Sequence, residues 1–167
     1  AMTLNPSWTI WVDTFSELGK STADSRFFFN YGCCMLSAVF FALYGAACIM
    51  YTGNRETAFT GLFIMLAAVA LFLVGVFPTD TSSYHMYAAI ALGIFGFIAL
   101  CIYAVREWNR GRVYSMGVAV MFAVIGVFAL FMFSFAAAEA VALIFATILS
   151  VFATKEMIFI KPANGGA

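Results

Sequence analysis

Long apolar runs alternate with short polar breaks along this chain. Five hydrophobic stretches, each long enough or nearly long enough to cross a bilayer, are separated by connections of a few residues. A hydrocarbon core ~30 Å thick takes about twenty helical residues at ~1.5 Å each. The pattern predicts five helices, over 21–51, 58–77, 84–105, 113–134 and 139–160. Connections this short make consecutive helices run antiparallel. The expected fold class is all-α: a polytopic membrane helix bundle with five transmembrane helices and an amphipathic N-terminal outer segment. Residues 1–20 form the interfacial segment, 21–161 the transmembrane bundle and 162–167 a C-terminal tail.

Local signals refine the ends. Ser21-Thr22-Ala23-Asp24 reads as a capping box that starts the first helix. That helix is longer than the hydrocarbon core, so its first turns sit in the outer interface. Pro78 stops the second helix, because proline lacks an N–H and disfavours a helical residue before it. The segment NPSWTIWVDTFSELGK, residues 5–20, mixes indoles with carboxylates and is too polar to span. Trp8 and Trp11 suit the headgroup region, and Ser16–Gly19 is expected to fold towards the bundle. Asp13 and Glu17 also exclude a cleavable signal core in residues 1–20.

Composition turns the pattern into a class. The 167 residues are 65% hydrophobic and 10% charged, against about 25% charged in soluble domains. This is an integral membrane protein. Net charge is zero, so no nucleic acid is implied as a partner. Cys33, Cys34, Cys48 and Cys101 all lie in hydrophobic stretches without a CxxC pair, and read as packing residues.

Charge then orients the bundle. With the N-terminal segment outside, the inside connections hold Arg55, Arg106, Arg110, Arg112, Lys155 and Lys161, and the outside ones only Lys20 and Arg26. Short loops rich in Lys and Arg stay cytoplasmic. The expected localisation is the cell membrane, with the N-terminal segment outside and the C-terminus in the cytoplasm. The outside face then collects Asp13, Glu17, Asp24, Asp80, Glu139 and the single histidine, His85.

Candidate chemistry concentrates there. Asn30, Asp80, His85 and Glu139 come from four separate elements at one level, with Glu17 above them, and are the expected ligand-binding residues. His85 oriented by Asp80, with Ser82 or Ser83 as nucleophile, would make a triad, but an eight-residue loop leaves little room for an oxyanion hole. The plainer reading has Asp80 in a turn and His85 at the start of a helix. Zinc needs more imidazole or thiolate than one histidine supplies. Calcium could use Asp13, Glu17, Asp80 and Glu139, yet no loop signature accompanies them. No catalytic residue, metal ligand or cofactor is assigned. Gly93 and Gly96, with Gly117 and Gly126, offer surfaces for close helix approach.

The segments NPSW (Asn5 to Trp8), SELG (Ser16 to Gly19), FFFNYG (Phe27 to Gly32) and VFPTD with His85 (Val76 to Asp80, then His85) resemble an uncharacterised family of multi-pass membrane proteins, domain of unknown function 998. The resemblance covers most of the chain. It implies a leading helix, a polar outside loop ending in Ser-acidic-Leu-Gly, and five further helices. The leading helix has no counterpart here, which leaves room for a partner helix in its place. The family implies no activity, and its distant likeness to proteins of lipid organisation points to membrane lipid as a partner.

Three functions remain open at this point. The first is a non-catalytic membrane protein, lipid-associated or homo-oligomeric, whose polar outer-face pocket takes a lipid headgroup, a small ligand or a partner helix. The second is a membrane enzyme acting on a lipid with Asp80, His85 and Glu139 as acid/base groups. The third is a transporter or channel subunit, which lacks charged residues at the membrane midplane.

Overall fold

Polar turns cut the apolar sequence into helices. In a computed structural model of the chain the described residues are 2–4, 6–9 and 12–132, with side chains to 128. Two short 3-10 turns, Met2–Leu4 and Phe15–Gly19, precede four helices. These are α1 (Phe28–Met50), α2 (Arg55–Val76), α3 (Tyr84–Asn109) and α4 (Val113–Met132). All regular structure among the described residues is helical. The fifth expected helix, at 139–160, lies outside the described residues.

The first three helices are long and apolar enough to cross a membrane. Their side chains are distributed accordingly. Phe40 and Leu43 are each 63% exposed on α1, and Val69 is 59% exposed on α2. In water such faces would be a liability; against lipid tails they face their own kind. The buried positions are mostly small: Ala38, Ala68, Ala70, Ala88, Ala99 and Ala119. Helices in lipid associate through close backbone approach and dispersion, which small residues permit. The chain is a membrane protein.

Each helix packs chiefly on the next one in the chain. At the α1–α2 crossing, a methyl added to Gly45 would lie 2.6 Å from the Gly61 carbonyl oxygen, and one added to Gly61 equally close to that of Gly45. Gly75 of α2 is similarly pressed against the Asn30 carbonyl. A methyl on Gly93, Gly96, Gly117 or Gly126 would touch nothing among the described residues. Among the described residues the close approach uses Gly45, Gly61 and Gly75.

Helix ends differ from expectation at two places. α1 begins later than residue 21, and Ser21 does not cap it. The first helical amide bond runs from Phe29 to the Ser25 carbonyl, and the Ser21 side chain is engaged elsewhere. α1 then opens as a π-helix over Phe28–Leu36 before settling into α-helix over Ser37–Met50. The wider π turn sets Asn30, Cys34 and Ala38, four residues apart, on the buried side. α3 runs four residues past the expected 105, to Asn109. The supposed loop residues Arg106 and Glu107 are thereby helical and buried.

The other ends follow local chemistry. Asn54 caps α2 by accepting the Thr57 amide at 2.9 Å. α2 stops at Val76, before Phe77 and Pro78. Among the described residues, two clusters of buried side chains lie at the helix contacts. Cys34, Val74 and Ala88 meet towards the Pro78 end, and Leu100, Tyr103 and Ala119 towards the other.

Candidate functional site

The N-terminal segment folds as a strap across one end of the bundle. Its first turn is closed by Thr9, whose amide and hydroxyl both donate to Asp13 Oδ2, at 2.8 and 3.1 Å. The Trp8 indole N–H donates to the Thr14 carbonyl at 2.9 Å, and its ring packs on Phe15 with centroids 5.1 Å apart. The 3-10 turn Phe15–Gly19 follows, with Ser16, Leu18 and Gly19 buried. Leu18, 1% exposed, is the apolar plug of the strap.

Three polar anchors fasten this plug. Ser25 Oγ donates to the Leu18 carbonyl at 2.7 Å. The Asn30 amide, 5% exposed on the π-helix, donates to the Gly19 carbonyl at 3.1 Å. A buried amide in an apolar bundle needs a partner, and the strap's own backbone supplies it. Gly19 is required there, because a methyl would collide with Asn30 Oδ1 and lie 2.8 Å from Phe29. Asp80, in the turn between α2 and α3, accepts the Ser21 amide at 2.9 and 3.1 Å on its two oxygens, and also the Ser21 hydroxyl. These bonds, the hydroxyl first, hold the Asp80 carboxyl below the usual carboxylate range. Asp13 is held low too, first by the Thr9 amide.

Between the turns of the strap lies an open cleft of about 230 Å³, lined by Ser7, Trp8, Asp13, Glu17, Lys20 and Thr22 among others. Lys20 and Glu17 form an ion pair across 2.9 Å. The cleft thus offers an indole, two carboxylates and one ammonium, all outside the helices.

The four expected site residues that are described, Glu17, Asn30, Asp80 and His85, take separate partners. Glu17 pairs with Lys20, Asn30 with Gly19 and Asp80 with Ser21. His85 is buried, and its Nδ1 lies 2.6 Å from the Phe77 carbonyl oxygen. That oxygen can only accept, so Nδ1 carries a proton. Nε2 is buried without a hydrogen-bond partner among the described residues. No bond joins His85 to Asp80 there, and Glu139 lies outside the described residues. Asn30 and Asp80 do share a task, since both fasten the strap. Among the described residues no three His, Cys, Asp or Glu side chains are grouped as metal ligands.

Sequence reasoning missed Gly19, Ser21 and Ser25 as anchors. Only the polarity of Asn30 in an apolar run signalled that something had to reach it. It also missed the buried Arg106–Glu107 pair at the far end of α3, joined at 2.8 Å.

The family model for proteins of unknown function designated DUF998 matches residues 1–154. The chain belongs to the DUF998 family. No curated protein and no solved structure matches it. The match takes in the strap, its anchors and all four described helices of this DUF998 protein.

Proposed function

We propose that this protein is a non-catalytic membrane protein whose strap cleft binds the headgroup of a membrane lipid. The carrying observation is the 230 Å³ cleft beside Trp8, with Asp13 and Glu17 on its wall. Carboxylates beside an indole suit an ammonium, through charge and the negative ring face. Lys20, paired with Glu17, gives the phosphate of the same headgroup a cation. A zwitterionic aminophospholipid such as phosphatidylethanolamine matches this arrangement.

The reading includes five transmembrane helices in the cell membrane, with the strap outside and the C-terminus in the cytoplasm. The Lys and Arg distribution supports that orientation. Single cysteines at Ser83 and Asn109, in a chain freed of its own cysteines, test it in intact cells. An impermeant reagent should label the first and not the second; the opposite pattern reverses the topology.

Native mass spectrometry of the purified protein with phosphatidylethanolamine tests the cleft. Wild type should retain this lipid severalfold more than D13N/E17Q or W8A, with helical content unchanged. Equal retention by all three proteins rules the cleft out as a headgroup site.

A further inference from the structure

One buried polar atom at the Pro78 end of the bundle is used neither by the strap nor by its cleft. His85, on the first turn of α3, is 6% exposed. Its Nδ1 donates to the Phe77 carbonyl at 2.6 Å, which fixes the ring. Nε2, on the far side of that ring, is buried with no hydrogen-bond partner among the described residues. Such an atom in apolar surroundings calls for a partner. Asn30 poses the same problem, and the strap solves it. The charged groups described at this end are engaged elsewhere or exposed. Asp80 takes Ser21, Glu17 takes Lys20 and Asp13 takes Thr9. Arg26 donates to the Ser21 carbonyl at 3.2 Å, and Asp24 is exposed. One turn along α3, Ala88 meets Cys34 of α1 and Val74 of α2, while Tyr84 and Tyr87 are exposed.

The sequence beyond the described residues carries the complement. Between Arg112 and Lys155 the only charged residue is Glu139. An ionisable side chain alone in so long an apolar run pairs inside the protein or marks a site. Its level follows from α4. Tyr103, shortly before the Asn109 end of α3, shares a cluster with Ala119, shortly after the Val113 start of α4, so the two helices lie antiparallel. At ~1.5 Å per residue, His85 stands ~36 Å along α3 from Asn109, and Met132 ~28 Å along α4 from Val113. The stretch from Met132 to Glu139 covers ~10 Å as helix and at most ~25 Å extended. Either path reaches the level of His85.

We propose that Glu139 is the partner of His85, and that the pair holds one proton between Nε2 and the carboxyl group. The site exchanges that proton with water, and no other bond is made or broken. Imidazolium beside carboxylate and imidazole beside carboxylic acid are two forms of the same occupied site. Each carries one hydrogen bond across the pair and no net charge into the apolar surroundings. Without the proton, a carboxylate faces a ring nitrogen that has nothing to donate. The proton is therefore what fastens the segment after α4 to the start of α3. The pair uses no residue of the strap cleft and does not depend on that cleft binding a lipid.

The chain has a single histidine, so nitrogen-15 histidine labelling gives one ring to observe by magnetic resonance. In wild type at neutral pH the Nε2 signal should be that of a hydrogen-bonded nitrogen. E139L should move it to the position of an unbonded acceptor and leave Nδ1 where it is. E139Q, whose amide can donate to Nε2, should keep a bonded signal. D80N, S134A and D13N/E17Q should leave the wild-type signal in place, which separates this pair from the strap and its cleft. Proximity is read independently in a chain freed of its own cysteines. A short bifunctional thiol reagent should link H85C to E139C within one chain, and should not link N109C to E139C. An Nε2 signal that E139L leaves in place, or that D80N or S134A moves as far, overturns the proposal. So does a failure of H85C and E139C to link, or a link only between two chains.

Discussion

Ser21 and Asp80 are the hinge between the strap and the bundle: one carboxylate takes both the amide and the hydroxyl of a residue fifty-nine positions earlier in the chain. These bonds tie the segment before α1 to the turn after α2. Asn30 and Ser25 act from beneath on the Gly19 and Leu18 carbonyls. The strap is thus held by two buried bonds under its plug and by one exposed anchor, the Asp80 carboxylate, at its exit. An exposed bond can be broken without unfolding the helices, which makes the strap separable from the bundle as an object of experiment.

Lowering pH should release the strap late. The Asp80 carboxyl titrates below its ordinary value of 3.8 in the folded protein. Its contribution is complete above the range of an unfolded aspartate, and is lost as pH falls through the depressed folded value. Trp8 fluorescence should therefore stay constant from neutral pH through the ordinary aspartate range and change only below it. In D80N the change near neutral pH should already be present, with α-helical circular dichroism intact. An acid transition identical in D80N and wild type would show that Asp80 does not hold the strap.

Gly19 and Asn30 should behave as a lock and its slot. N30A leaves the buried Gly19 carbonyl without its donor and should cost about 1–3 kcal/mol of stability. G19A places a methyl against the Asn30 amide and should cost a similar amount, about 1–3 kcal/mol, by overpacking. In the double variant the shortened side chain leaves room for the methyl, so the cost should fall short of the sum. Thermal unfolding in one detergent measures all three. Strict additivity would mean that the two residues do not meet.

Much of the helix order is readable in the sequence because apolar length and Pro78 act locally. α2 and α3 begin or end within a few residues of the polar breaks. Ser21 misled because a serine followed three residues later by an acid is a good cap in isolation, while the nearby strap geometry offered it Asp80. The far end of α3 misled because three arginines within seven residues read as a loop. Glu107 neutralises Arg106 at short range and lets the helix continue inward. The π-helix leaves no periodic signal in a run where nearly every residue is apolar. For the same reason nothing in the sequence distinguishes Gly45 and Gly61, which meet across a crossing, from Gly93 or Gly117. The site residues were chosen by polarity and level; which partner each takes depends on the path of the strap.

Breaking the Arg106–Glu107 pair on one side should be worse than removing it. Both side chains are shielded, at 6% and 0% exposure. E107Q removes the carboxylate that this buried guanidinium faces at 2.8 Å, beside Thr57, at 3.5 Å, and the Tyr103 ring. A buried charge stripped of its partner costs about 3–5 kcal/mol. R106M/E107L removes both charges and keeps similar volume, and Arg112, whose side chain is 43% exposed, can turn to water. The double variant should therefore unfold at a higher temperature than E107Q, although it differs more from the native sequence. If E107Q unfolds like wild type, the pair does not hold this end of α3.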